Sequence, residues 1–238
     1  MSIPANPRTL QLTRRAGRLL LLALVWSVLL RVVGPKAEQD LPRRFDTPVI
    51  ALEAVETAEE LQQVSGGVGS ASWQALRRQT RLDFLFPVGY GGALLYMGLL
   101  LQARPSRDCH TLKWIAVGSA VVAALFDWAE NGAILWSLAD PVRFTIWLHR
   151  LSAVKWTGLG LACATVAPLW MVAFPLDREL RVLSWGAALA YVVAGLLCLV
   201  GVLISPTVWE KATVPLGLAF VISAVILTFR ASNLLAIL

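Results

Sequence analysis

Long apolar runs dominate the chain, near residues 83–103, 114–139, 151–174, 183–205 and 212–229. A helix needs about 20 largely apolar residues to cross roughly 30 Å of hydrocarbon, so each run predicts a transmembrane helix. A sixth stretch, Leu19 to Gly34, is shorter and is bracketed by Arg18 and Arg31. Arg8, Arg14, Arg15 and Arg18 would make the basic region of a signal peptide, but Val33-Gly34-Pro35-Lys36-Ala37 is a poor cleavage site. We therefore read an uncleaved first helix whose arginines snorkel to the interfaces. Tryptophans mark the ends of the runs: Trp114 and Trp136 for the third, Trp170 for the fourth, Trp185 for the fifth and Trp209 for the sixth, as in an aromatic belt.

Between the first and second runs, residues 35–82 are polar but patterned. Thr47 followed by Pro48 is an N-cap and first-turn pair, Val49, Leu52, Val55 and Leu61 form an apolar stripe, and Gly66-Gly67 is a stop. A second helix is expected from Ser70 through Trp73, Leu76 and Leu82, running straight into the second span. The expected architecture is all-α: residues 1–34 hold an N-terminal tail and the first span, 35–82 a short extramembrane amphipathic helical region, and 83–238 a bundle of about five further spans. The apolar face of the 35–82 region is expected against the membrane surface or the bundle mouth, the alternative being a solvated connector.

Composition agrees with a bilayer as solvent. Of 238 residues, 57% are hydrophobic and 15% charged, and the mean hydropathy is +0.67, outside the usual range for soluble domains. The formal charge of +6 comes from basic residues scattered through short loops, which points to lipid headgroups and away from nucleic acid. The basics barely distinguish the two sides, Arg104, Arg107, Lys113, Arg178, Arg181 and Arg230 falling with the N-terminal arginines. The arginines before the first helix favour a cytoplasmic N-terminus in a multi-pass protein of a bacterial inner membrane. Cys109, Cys163 and Cys198 have no metal spacing and are expected to be reduced. His110 and His149 stand at helix ends and not as a facing pair, so neither a metal site nor a cofactor is expected.

The candidate chemistry lies in the third span, where Asp127, Glu130 and Asn131 share one face of one helix turn. An ionised Asp at bilayer mid-depth costs about 2.5 to 3.5 kcal/mol even on the mildest scales, so such residues face a protein interior or a wet cavity. Antiparallel neighbours bring Asp83 and Tyr90 of the second span and Lys155 of the fourth to the same leaflet. Two arrangements suit these groups. One is a packing device, with Glu130 and Lys155 paired and Asp127 bonded to Asn131 or a tyrosine hydroxyl. The other is a pocket for a small lipophilic or amphiphilic molecule, a cationic one above all. In it Asp127 and Glu130 are anchors, Tyr90, Trp128 and Trp156 walls, and Asp83, Asn131 and Lys155 the remaining polar lining. A membrane isomerase or hydrolase, with Asp127 or Glu130 as general acid or base, is the enzymatic alternative, and a structural subunit of a membrane complex the third. No inverted repeat supports a transporter. Gly89, Gly91, Gly92, Gly98, Gly158 and Gly160 suit close helix approach, and Pro87 and Pro215 kinks.

The pattern D-x-x-F-x-x-x-Y at 83–90, D-x-x-E-N at 127–131 and K-W at 155–156 resembles one recurring in bacterial multi-span membrane proteins, and that resemblance implies no activity. Carboxylates at helix mid-depth also give a faint likeness to the emopamil-binding and sigma-2 receptor group, small helical bundles that hold a sterol-like or cationic amphiphile. The expected partner is a membrane lipid or small amphiphile.

Overall fold

The computed structural model describes residues 7–35, 41, 42, 45–101, 107–172 and 178–235, the side chains of 107, 108, 172, 178–180 and 229–235 excepted. Arg104 and the side chains of Arg107, Arg178 and Arg230 therefore lie outside the described residues. What is described is helical throughout: α1 (Pro7–Val33), the short α2 (Pro48–Glu53), α3 (Ala58–Ser65) and α4 (Ala71–Asp83), then α5 (Phe86–Leu100), α6 (Arg107–Ser137), α7 (Pro141–Val172), α8 (Arg178–Leu203) and α9 (Thr207–Leu235). Five segments are long and apolar enough to cross a membrane: α1, the stretch Ala71–Leu100 that joins α4 to α5, α6, α8 and α9. The protein is an all-α, multi-pass helical membrane protein.

The span expected at 151–174 falls in α7, which has the length, 32 residues, but not the apolarity of the other five. Its first half carries Arg143, His149, Arg150 and Lys155. Packing explains how the bundle accommodates it. Each long helix lies against the next in chain order, α9 returns to α1, and α7 also reaches α5 across the ring. Trp156, Leu159, Ala162, Cys163, Val166, Ala167, Leu169 and Trp170 of α7 are all buried, so much of this helix meets protein and not lipid. Glycine sets the spacing on both sides. A β-carbon at Gly158 would stand 3.0 Å from the Ser119 carbonyl of α6, and one at Gly195 of α8 would stand 2.8 Å from the Gly160 carbonyl.

The continuous helix expected from Thr47 to the Gly66 stop is interrupted. Thr47 makes no cap bond, whereas Thr57 accepts from the Glu60 N–H at 3.2 Å and the Glu60 carboxylate accepts from the Glu56 N–H at 2.9 Å. That local capping pair starts a new helix, α3, which ends where Gly66 turns left-handed at φ 71°. Leu52, Val55 and Leu61 are buried together with Phe45, Ile50 and Val64 in the core of the bundle. Residues 45–65 thus form a strap docked on α7 and α9, fastened by the Asp46 N–H on the Glu210 carboxylate at 3.0 Å.

α4 begins as expected, with Ser70 accepting from the Trp73 N–H at 3.0 Å, but the run into the second span breaks at Phe84–Leu85, ahead of Pro87. Two indoles bond carbonyls at the break: Trp26 donates to Leu82 at 3.0 Å and Trp128 to Phe84 at 2.8 Å. The tryptophan belt holds in part. Trp114, Trp136 and Trp185 are exposed, while Trp170 and Trp209 are fully buried, the first stacked on Tyr191 and the second on Trp156 and His149.

Candidate functional site

The α6 turn that carries Asp127, Glu130 and Asn131 points into the bundle, and all three are buried. Helical spacing predicts that common face, and the hydrophobic positions around it, Ala123, Ala133 and Ile134, are buried as well. α7 brings Lys155 to the same level. Its ammonium stands 2.7 Å from Glu130 Oε2 and 3.6 Å from Asp127 Oδ1. Tyr90 of α5 donates its hydroxyl hydrogen to Asp127 Oδ2 at 2.9 Å. Asn131 donates through Nδ2 to Asp83 Oδ2 at 2.9 Å, at the end of α4 just before the helix break. Each of these contacts joins residues that the helix-depth argument placed in one leaflet.

Two features depart from the sequence reading. Trp128, expected as a wall, lies 37% exposed on the outside of α6, and its indole serves the Phe84 carbonyl. A helix turns about 100° per residue, so the neighbour of an inward Asp127 faces away from it. The second feature is Glu53, the last residue of α2, which no sequence signal in the polar connector separates from its six other acids. It is buried, its Oε1 is 2.8 Å from Lys155 Nζ, and its Oε2 accepts from the Trp156 indole at 2.7 Å. Trp156 therefore belongs to the cluster, as a donor to Glu53.

Together Glu53, Asp127 and Glu130 surround Lys155, and Asp83 forms a half-buried outer edge. Among the described residues, four carboxyls here answer one ammonium. Burial pushes the Glu53 carboxyl above the ordinary glutamate range; the Lys155 charge opposes that shift without cancelling it, and the Asp127 charge adds to it. Uncompensated charge at this depth is expensive, so the cluster favours a further cation. Among the described residues no group of three His, Cys, Asp or Glu side chains is arranged to hold a metal ion. His149 is stacked on Trp209 with ring centroids 5.7 Å apart. What the arrangement offers chemically is a preformed acidic cradle, already holding one ammonium, with a tyrosine hydroxyl on one carboxylate.

No family model matches the chain, and no curated protein or solved structure was found to match it either.

Proposed function

We propose that the cluster is a receptor for a cationic group within the membrane, and that its ligand is a small lipophilic or amphiphilic amine. The supporting observation is the imbalance of four carboxyls around Lys155. A second ammonium adds a positive charge where the protein leaves a deficit, and Asp127 and Glu130 anchor it. Asp83 is the first carboxyl it meets, because that residue is half-buried beside the exposed Phe84 and Leu85. An apolar chain on the amine then lies against lipid-facing surface. The proposal places the protein in a bacterial inner membrane, in keeping with Arg8, Arg14, Arg15 and Arg18 near its N-terminus.

The test compares dodecylamine with dodecanol as additives in melts of detergent-purified protein. Both partition into micelles, so a Tm rise with the amine alone reports the charged group. At a hundredfold excess over Kd the gain is about 2.7 kcal/mol. Asp127→Asn keeps an acceptor for Tyr90 and a near-identical shape; it is expected to melt like wild type without additive and to lose the amine shift. Equal shifts in both proteins, or none in either, would remove the reading and favour a structural subunit.

The Tyr90 hydroxyl bonded to Asp127 supports one other reading, a membrane isomerase or hydrolase in which Asp127 or Glu130 moves a proton. In that case substrate turnover, and not amine binding, is what Asp127→Asn abolishes.

A further inference from the structure

α7, packed between the spans α6 and α8, carries a stripe that changes from apolar to basic along its length. Arg143, Trp147, Arg150, Val154 and Leu161 follow one another at steps of four, three, four and seven residues, which puts them on one side of the helix, and all five are exposed. At 1.5 Å per residue this helix of 32 residues is about 48 Å long, against roughly 30 Å of hydrocarbon. Val154 and Leu161 belong to its apolar half, and its charged N-terminal end reaches beyond the hydrocarbon. Both arginines of the stripe rest on rings. The Arg150 guanidinium lies 5.7 Å from the Trp147 ring centroid and that of Arg143 lies 5.2 Å from Phe144, which in turn packs on the exposed Trp136 at 5.5 Å. Neither guanidinium is paired with an acid among the described residues. Asp140, the carboxylate that opens the helix, accepts the backbone N–H of Arg143 at 3.4 Å.

We propose that this stripe binds one anionic phospholipid, its phosphate on the Arg150 guanidinium beside Trp147, an acyl chain along Val154 and Leu161, and Arg143 at the outer part of the headgroup. Continuity of the stripe decides the occupant. Its inner part is exposed apolar surface at hydrocarbon depth, so the molecule that lies against Val154 and Leu161 is a lipid, and it presents its phosphate one turn farther out. Helical side chains lean towards the N-terminus, which carries the Arg150 guanidinium outward onto Trp147, an indole of the kind that settles at the membrane interface. A guanidinium matches a phosphate through two parallel N–H groups, and the ring beneath it holds its plane without using those donors. Arg143, two helix turns beyond Arg150, sets the selectivity. An ethanolamine headgroup brings its own ammonium into that layer and is repelled, whereas a glycerol headgroup leaves the phosphate charge unopposed. The inference does not rest on the cation receptor, because Arg150 is exposed on a different face of α7 from the buried Lys155.

Native mass spectrometry of the full-length protein in detergent, with phosphatidylglycerol or phosphatidylethanolamine added, counts the lipids retained. Wild type is expected to hold one more phosphatidylglycerol than Arg150→Gln does, and to bind it about tenfold more tightly, the loss of one charge-assisted hydrogen bond. Arg150→Lys keeps the charge without the fork and is expected to recover part of the difference. Arg143→Gln is expected to retain the lipid but to narrow the preference for phosphatidylglycerol over phosphatidylethanolamine. Both side chains are exposed, so all three variants are expected to melt like wild type without added lipid. Inorganic phosphate and glycerol 3-phosphate, which lack acyl chains, are expected not to displace the lipid. Equal retention by wild type and Arg150→Gln overturns the proposal, as does displacement by either free phosphate or an unchanged headgroup preference in Arg143→Gln. Dodecylamine shifts are expected to survive these substitutions, so failure here leaves the cationic site standing.

Discussion

The bundle buries two tyrosines in opposite surroundings. Tyr90 gives its hydroxyl hydrogen to a carboxylate and stands among Asp127, Lys155, Glu130 and Glu53. Tyr191 of α8 is packed between Trp170 and Phe220, receives the Ser223 hydroxyl hydrogen at 3.1 Å and meets the Met97 sulfur at 3.6 Å. Both regions join three or more helices, and both tyrosines are buried. The Tyr191 region does so with neutral groups alone, which shows that closing this bundle does not require charge. A buried ion pair is weak evidence for stability, and the concentration of ionisable side chains around Tyr90 is the ground for the cation-receptor role proposed above.

The widest gap between the two regions is expected from removing one partner of the charged set. Lys155→Met leaves Glu53, Asp127 and Glu130 without their ammonium and is expected to destabilise by about 3–5 kcal/mol, against less than about 1.5 kcal/mol for the volume-conserving Met97→Leu beside Tyr191, both measured by detergent melting. Neutralising the set together, Glu53→Gln with Glu130→Gln and Lys155→Met, is expected to restore most of the loss. If the triple variant is no better than Lys155→Met alone, charge is not what the region is built around.

A smaller contrast is expected between the tyrosines themselves. Tyr90→Phe removes a bond to an ionisable acceptor, about 1.5–3 kcal/mol, and Tyr191→Phe a neutral one, about 0.5–1.5 kcal/mol. Equal losses in chemical denaturation would argue that the bond to Asp127 is worth no more than the bonds around Tyr191.

The smallest effect expected is in pH dependence. Burial holds the Glu53 carboxyl above its ordinary range, so folding favours its protonated form. Its contribution is complete below the ordinary glutamate range and is lost as pH rises through the raised folded value. Glu53→Gln is expected to flatten that part of the Tm-against-pH curve, seen as the difference between the two profiles. Parallel profiles would mean that Glu53 sits in water in solution.

Much of this was legible in the chain because a bilayer imposes simple rules. Length and apolarity located the spans, and one helix turn gave Asp127, Glu130 and Asn131 a common face. Antiparallel neighbours then put Asp83, Tyr90 and Lys155 beside them. Glu53 was not legible: it arrives through the tertiary docking of α2, and nothing local distinguishes it from Glu56, Glu59 or Glu60. The split between α2 and α3 has a local signal in Thr57 and Glu60, a capping pair that the longer apolar stripe masks. An indole between two acids reads as a pocket wall, but one step along a helix turns a side chain by about 100°, and Trp128 faces outward. Trp170 and Trp209 stand where interface anchors are expected, but sequence shows where a run ends and not which way the last side chain turns.

The most direct test is a distance between ligand and cluster. ¹⁵N-labelled dodecylamine bound to protein carrying ¹³C-labelled aspartate side-chain carboxyls, in lipid bilayers, gives a rotational-echo dipolar signal between the amine nitrogen and nearby carboxyl carbons. An opposite charge engages a carboxylate within about 4–6 Å, so strong dephasing is expected in wild type and its reduction in Asp127→Asn. Dephasing no greater than that of an inert membrane protein in the same bilayer, or unchanged in Asp127→Asn, would contradict the assignment of this buried cluster as a cation receptor.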